Sequence, residues 1–233
     1  MRRLPRKAQY PANGGSGRVR VSAETTRKTG LSKRFDDAFL YAHEAHRGQR
    51  RKKTDRPYIS HLMGVASLVL QYGGDEDQAV AALLHDVVED CGGAPRLAEI
   101  KERFGERVAE IVDGCTDTDR TPKPPWRERK EQYIERVRGE SPCVLLVSAA
   151  DKLYNMREIL MDVRQHGSEV WERFSGKREG SLWYYRALIG VFRTRGADGH
   201  HGEDEPTAAE RRKLRAMVEE LELTAIQLER LDK

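Results

Sequence analysis

The chain has 233 residues, of which 38% are hydrophobic and 34% charged, and its formal net charge is +4 at pH 7. The length suits one full domain with flanking segments, and the composition excludes a fibrous protein. No stretch approaches the roughly 20 apolar residues of a membrane-spanning helix, and no apolar segment follows the basic start as in a signal peptide. We therefore expect a cytoplasmic protein without a membrane anchor.

The first 30 residues are rich in basic residues, proline and glycine and show almost no apolar periodicity. Such a composition is typical of a segment that cannot bury enough apolar surface to fold. We predict a flexible basic N-terminal arm over residues 1–30, which is either a solvated tail or a contact for nucleic acid or a membrane surface. The small positive net charge suits a phosphorylated small molecule as well as a nucleic acid, so no nucleic-acid partner is required.

Residues 31–196 are predicted to form an all-α domain. Apolar residues recur there every three or four positions, and alternation typical of strands is absent. The first predicted helix contains Phe35 and Phe39, and the others cover about 58–70, 76–90, 95–104, 108–112, 126–137, 142–163 and 180–192. Short polar connections between many helices favour an orthogonal helical bundle.

The end of the chain is predicted to be a linker over residues 197–206, followed by an amphipathic helix over 207–233. Apolar residues in this helix are spaced by four and three positions and form one stripe, which consists of Leu214, Val218, Leu221, Ala225 and Leu228. The stripe either packs against the preceding domain or forms the seam of a homo-oligomer.

Three cysteines, Cys91, Cys115 and Cys143, are far apart and lack the spacing of a zinc site or a disulfide framework. We expect them to be reduced and mostly buried.

The predicted helix over residues 76–90 ends in four ionisable residues, His85, Asp86, Glu89 and Asp90, directly after an apolar run. Buried carboxylates need cations, a metal or solvent beside them, because their desolvation is costly. On a continuous helix these residues are spaced by three or four positions, so their side chains would share one sector. The pattern predicts a cleft at this end of the helix.

Two further polar residues lie where packing alone would favour leucine. His61 opens the predicted helix over 58–70, and Asp151 lies within the apolar helix over 142–163. With His85 and Asp86 they would supply two imidazoles and two carboxylates. This mixed set suits Mn²⁺, Fe²⁺, Ni²⁺ or Mg²⁺ better than a closed structural zinc site, and we expect Mn²⁺.

Four segments carry a resemblance to a known family. They are Ala45 to His61, with the basic run Arg50-Arg51-Lys52, Leu84 to Asp90, Phe104 to Thr116, and Ala150 to Arg157. In this order they are similar to the hydrolase domain of RelA/SpoT homologues, which belongs to the HD superfamily of metal phosphohydrolases. The resemblance covers residues 33–195 and leaves no room for a synthetase domain, so the chain resembles a stand-alone small alarmone hydrolase.

The resemblance implies an HD-domain orthogonal bundle and a function in the stringent response. It implies a Mn²⁺-dependent (p)ppGpp 3′-pyrophosphohydrolase that releases pyrophosphate and GDP or GTP. The metal ligands would be His61, His85, Asp86 and Asp151. Glu89 and Asp90 would be the catalytic acid and base, in an order that the sequence does not assign.

The resemblance also implies four substrate-binding residues. Arg51 and Lys52 would contact phosphates, Tyr58 would line the site, and Asn155 would contact ribose or phosphate. Arg51 and Lys52 belong to a basic loop that also holds Arg47, Arg50, Lys53 and Arg56.

Three departures from the family pattern leave the nucleotide open. The basic loop is longer and lacks a glycine, Leu62 replaces a common proline, and Tyr154 replaces a common histidine. A (p)ppApp hydrolase or an NADPH 2′-phosphatase is the alternative within the same chemistry. A non-catalytic nucleotide- or RNA-binding module is the alternative from a different class.

Overall fold

Helices make up the regular structure of the computed structural model, which describes residues 30–118, 122–197 and 207–231. They are α1 (Lys33–Ala45), α2 (Ile59–Gln71), α3 (Glu76–Leu84), α4 (Val87–Cys91), α5 (Ala94–Phe104), α6 (Glu106–Cys115), α7 (Trp126–Arg138), α8 (Pro142–His166), α9 (Lys177–Gly196) and α10 (Ala208–Leu231). A 3₁₀ helix over Gly167–Arg173 precedes α9. No strand occurs within the described ranges, where Arg50 and Pro57 form an isolated antiparallel bridge. The predicted all-α class is confirmed.

Polar side chains fix the starts of the helices that lead to the polar cluster. Asp75 and Gln78 form a reciprocal capping box at the start of α3. The Ser141 hydroxyl accepts from the backbone N–H of Val144, and Pro142 fills the first helical position of α8. These caps explain why both helices begin where the sequence predicts.

The prediction of one continuous helix over residues 76–90 is wrong. α3 ends at Leu84, His85 and Asp86 form a turn, and α4 begins at Val87. Asp86 has φ −96° and ψ −5°, away from regular helical values. Consecutive side chains of a regular helix do not face each other, yet His85 Nε2 lies 3.2 Å from Asp86 Oδ2. The break is what lets two neighbouring residues reach the same point.

The core is built around α3 and α8. α3 packs against α1, α2, α6 and α8, and α8 also contacts α9 and α10. The last six positions of α3 are all buried, so this helix carries apolar side chains on every face: Ala79, Val80, Ala81, Ala82, Leu83 and Leu84. These two buried helices carry His85 and Asp151 into the domain.

The C-terminal helix α10 packs against α8 and α9. All five residues of its predicted stripe are buried there: Leu214, Val218, Leu221, Ala225 and Leu228. Glu220 of α10 also accepts hydrogen bonds from Tyr72 and Arg157, next to α2 and on α8. Of the two predicted roles, packing against the preceding domain is the one observed.

Several predictions concern residues at or beyond the edges of the described ranges. The arm over residues 1–30 and the linker over 197–206 lie outside these ranges, apart from Gly30 and Ala197. The three cysteines, predicted to be reduced and mostly buried, are free and partly buried against the core. Within the described helices, none is long and apolar enough to cross a bilayer.

Gly64 provides a test of the packing between α2 and α8. A Cβ atom at this position would overlap with the ring of Tyr154, which packs 5.3 Å from the His61 ring. We expect Gly64→Ala to lower the free energy of unfolding by about 1–3 kcal/mol, because the ring has to move. Gly190→Ala is the matched control on α9, where a Cβ meets nothing within 4 Å. It should raise stability by about 0.5–1 kcal/mol through helix propensity.

Urea denaturation of both variants beside the parent chain measures this difference. A Gly64→Ala variant as stable as the parent would contradict the close approach of the two helices.

Candidate metal centre

Two imidazoles and two carboxylates from three segments meet at one point. His61 lies on α2, His85 and Asp86 in the turn after α3, and Asp151 on α8. His61 Nε2 lies 3.3 Å from His85 Nε2, 3.4 Å from Asp86 Oδ2 and 3.3 Å from Asp151 Oδ1. His85 Nε2 lies 3.2 Å from Asp86 Oδ2 and 3.6 Å from Asp151 Oδ1. The structure therefore brings together all four residues predicted as metal ligands.

The distances from the two imidazole nitrogens to each other and to the two carboxylates fit a single divalent ion. Ligands bound at about 2.1 Å in tetrahedral or octahedral geometry lie roughly 3.0–3.4 Å from one another. His85 Nδ1 is 2.8 Å from the Ala82 carbonyl oxygen, which assigns a proton to Nδ1 and leaves Nε2, the nitrogen that faces the cluster, as the atom that would bind a metal. His61 Nδ1 is buried and has no hydrogen-bond partner among the described residues. The residues present suit a bound cation.

Neighbouring side chains orient the two carboxylates. The Tyr58 hydroxyl donates to Asp86 Oδ2 at 2.6 Å. Asn155 Nδ2 donates to Asp151 Oδ1, and Lys152 Nζ donates to Asp151 Oδ2 at 2.5 Å. Tyr58 and Asn155, predicted to bind substrate, thus contact the ligand carboxylates as well as lining the cavity described below.

A proton on His85 offsets part of the negative charge of the two carboxylates. Burial opposes ionisation of His85, but the charges of Asp86 and Asp151 outweigh it and raise the pKa of His85 to about 10. Burial also opposes ionisation of Asp86, yet His85 and His61 hold its pKa well below the usual range. Burial likewise opposes ionisation of Asp151. The charge of Lys152 and the two imidazoles outweigh this effect and hold the pKa of Asp151 well below the usual range.

The raised pKa of His85 predicts that metal binding releases a proton. Between about pH 6.5 and 9 the metal-free chain holds the His85 proton, which an incoming ion must displace. The apparent affinity for Mn²⁺ should therefore rise up to about tenfold per pH unit in this window. Calorimetry in two buffers of different ionisation enthalpy counts the protons released. An affinity independent of pH, with no proton released, would contradict this arrangement.

Glu89 and Asp90 lie on α4, one turn beyond Asp86. Glu89 Oε1 accepts from Lys123 at 2.8 Å, and Asp90 Oδ2 accepts from Gln49 at 2.9 Å. Lys123 Nζ is also 3.7 Å from Asp90 Oδ1, so one ammonium group lies beside both carboxylates. Burial and the charge of Asp86 raise the pKa of Glu89, despite the opposing effect of Lys123.

A cavity of about 610 Å³ opens beside these residues, and Glu89 and Asp90 line it. Basic side chains outnumber acidic ones on its wall, and they are Arg50, Arg51, Lys52, Arg56, Lys123, Arg129, Lys130, Lys152 and Arg173. Such an excess of positive charge favours an anionic ligand.

The two predicted phosphate contacts differ in their surroundings. Lys52 is exposed on the cavity wall. The Arg51 guanidinium instead pairs with Glu158 at 2.8 Å, donates to Asn155 and lies over the Tyr58 ring. A substrate phosphate at Arg51 would therefore share this side chain with Glu158.

A match to a protein-family model classifies the domain that carries this site. The model of the HD domain matches residues 38–182, which is more than half of the chain. The chain belongs to the HD domain family. The match includes His61, the His85-Asp86 pair and Asp151, so the whole four-donor cluster lies inside the HD domain.

Relatives of this HD domain chain include proteins named for ppGpp hydrolysis. Guanosine-3′,5′-bis(diphosphate) 3′-pyrophosphohydrolase MESH1 of Mus musculus is 43% identical over 126 residues, which cover 53% of this chain and 68% of that protein. The bifunctional (p)ppGpp synthase/hydrolase SpoT of Escherichia coli is 35% identical over 133 residues, but only 18% of its length is matched.

A solved structure shares the fold of this HD domain chain. It is described as a metazoan ortholog of SpoT that hydrolyzes ppGpp. Its TM-score is 0.61 at 28% sequence identity, with 81% of this chain and 96% of that chain covered. The expected HD-domain bundle is therefore confirmed.

Sequence reasoning missed several residues of the HD domain site. Lys123 and Gln49 contact the acidic pair, and Glu158 pairs with Arg51. The only sequence signal for Lys123 is its place in the rigid run Pro122-Lys123-Pro124-Pro125. Gln49 lies within the segment Ala45 to His61 that carries the resemblance, but nothing in that segment indicates its contact with Asp90. Glu158 has no local signal, because its role depends on a contact between distant segments.

Proposed function

We propose that this HD domain chain is a Mn²⁺-dependent (p)ppGpp 3′-pyrophosphohydrolase that acts on the free nucleotide in the cytoplasm. The observation that carries the proposal is the four-donor cluster, which lies near Glu89 and Asp90 and contacts Tyr58, Lys152 and Asn155 on the wall of a basic cavity. The names of the relatives support the choice of substrate. The products are pyrophosphate and GDP or GTP.

The metal ligands in this proposal are His61, His85, Asp86 and Asp151. A mixed set of nitrogen and oxygen donors suits Mn²⁺. When bound, the divalent ion lowers the pKa of a water molecule and offsets the charge of the attacked phosphoryl group. Tyr58 and Asn155 hold the two carboxylates through their hydrogen bonds and would keep them oriented toward a bound ion.

Glu89 and Asp90 move the protons. The water oxygen bonds to the phosphorus next to the ribose, the bond from that phosphorus to the 3′ oxygen breaks, and the 3′ oxygen takes up a proton. Glu89 is the better proton donor because burial and the charge of Asp86 raise its pKa. Asp90 then orients the water and accepts its proton, and Lys123 holds the two carboxylates in place.

The basic loop of residues 46–58 binds the phosphates of the substrate. Lys52 is exposed and provides a mobile charge, whereas Arg51 is fixed by Glu158. The substrate carries four or more negative charges, which the basic wall of the cavity offsets.

Product analysis tests the proposal. Purified chain with Mn²⁺ should convert ppGpp into GDP and pyrophosphate, and a chelator should abolish the reaction. Parallel incubations with ppApp and NADPH report the base preference and any 2′-phosphatase activity. The proposal is wrong if ppGpp stays intact while orthophosphate is released from NADPH. Equal turnover by the parent chain and His85→Ala would assign the activity to a contaminant and leave a binding module.

A further inference from the structure

A second group of cations lies on a part of the cavity wall built by α7, α8 and α9, separate from the basic loop. Lys130 on α7, Lys152 on α8 and Tyr184 on α9 line the cavity there. The side chains of Lys130 and Lys152 are only 18% and 12% exposed. Buried ammonium groups of this kind are costly unless anions lie beside them.

The acidic partners of this group are too few for its cations. Asp117 pairs with both Arg129 and Lys130, the latter at 2.9 Å. Lys152 pairs with Asp151 at 2.5 Å, but Asp151 is also a proposed metal ligand. A divalent ion on Asp151 would bring more positive charge next to Lys152. With a divalent ion bound, positive charge would exceed negative charge on this part of the cavity wall.

Tyr184 supplies an independent observation. Its side chain is 6% exposed and lines the cavity, and its hydroxyl is buried without a hydrogen-bond partner among the described residues. The charges of Lys152 and Asp117 act on this hydroxyl. A buried hydroxyl without a partner costs about 1–3 kcal/mol, and a ligand oxygen that accepts its proton would remove that cost.

We propose that Lys130, Lys152 and the Tyr184 hydroxyl bind the terminal phosphate of the substrate's pyrophosphate group. Lys152 touches Asp151, so this subsite begins one side chain away from the metal cluster. With the phosphorus next to the ribose placed beside His61, His85, Asp86 and Asp151, the residues that would hold the metal, the next phosphate along the pyrophosphate would extend to this subsite. The subsite rests on the proposed function and predicts that a pyrophosphate is preferred over a monophosphate.

Binding of inorganic pyrophosphate tests the subsite without turnover. Calorimetry in excess Mn²⁺ compares the parent chain with Lys130→Met and Tyr184→Phe. Lys130→Met keeps most of the aliphatic stem, and Tyr184→Phe removes only the hydroxyl without a partner. We expect pyrophosphate affinity to fall at least about tenfold in Lys130→Met and about threefold to tenfold in Tyr184→Phe.

Guanosine diphosphate and an exposed lysine provide the controls. GDP lacks the 3′-pyrophosphate, so its affinity should change less than about twofold in either variant, which also shows that the cavity is folded. Lys101 on α5 is 57% exposed and pairs with Glu106, and Lys101→Met should leave both affinities unchanged. Unchanged pyrophosphate affinity in Lys130→Met and Tyr184→Phe, or an equal loss for pyrophosphate and GDP, would overturn the subsite.

Turnover separates the failure of the subsite from the failure of the proposed function. If the parent chain leaves ppGpp intact but its pyrophosphate affinity depends on Lys130 and Tyr184, the subsite stands and the proposed activity is wrong. If ppGpp is hydrolysed and the variants bind pyrophosphate like the parent chain, the activity stands and the subsite is wrong.

Discussion

Asp86→Asn is expected to reduce ppGpp turnover by roughly 10³-fold or more and to remove bound Mn²⁺ from the chain. Asparagine keeps the size of the side chain but lacks the negative charge that faces His61 and His85 at 3.4 and 3.2 Å. Elemental analysis of the chain, dialysed against the same metal buffer as the parent, measures the metal. Initial rates with ppGpp measure the turnover.

Asp113→Asn is the matched control for this variant. Asp113 lies on α6 and is exposed to solvent, so the same loss of charge there should change neither metal content nor rate by more than about twofold. An Asp86→Asn variant that keeps one metal ion per chain and full activity would exclude Asp86 from the metal centre.

Glu89→Gln and Asp90→Asn are expected to lower kcat by about 10²–10⁴-fold while the chain keeps its metal. Each variant removes a group that carries a proton and leaves the four-donor cluster intact. A general acid works in its protonated form, so the rate of the parent chain should fall as pH rises through the raised pKa of Glu89. In Glu89→Gln this alkaline limb of the kcat profile should be absent.

Glu110→Gln on the exposed face of α6 is the control for the pH profile. It should retain the alkaline limb and the rate of the parent chain. If Glu89→Gln loses its metal, the residue acts on the cluster and not as an acid. If it keeps the limb, another group donates the proton.

Most of the helices could be predicted from the sequence, because the spacing of apolar residues and the capping residues indicate the same helix positions. The capping box at Asp75 and the Ser141-Pro142 pair mark helix starts that the structure reproduces. The break at His85 and Asp86 could not be predicted, because the apolar pattern runs on into Val87 and Val88. The turn positions the side chains of His85 and Asp86 but does not interrupt the spacing of apolar residues in the sequence.

The four donors could be proposed from the sequence because each is a polar residue within an apolar segment. The sequence pattern does not show that the donors converge. His61, His85 and Asp151 meet because α2, α3 and α8 pack against one another, and such contacts are not encoded in local spacing. The side-chain contacts around the four donors and the acidic pair could not be predicted from the sequence. The contacts of Lys123 with Glu89 and of Arg51 with Glu158 join segments 34 and 107 positions apart, and no local spacing encodes them.

Anomalous diffraction at the manganese edge, from crystals of the Mn²⁺-loaded chain, tests the metal centre directly. One peak should lie within roughly 2.2 Å of His61 Nε2, His85 Nε2 and a carboxylate oxygen of both Asp86 and Asp151. A peak elsewhere, or none at this cluster in crystals with one manganese ion per chain, would contradict the account.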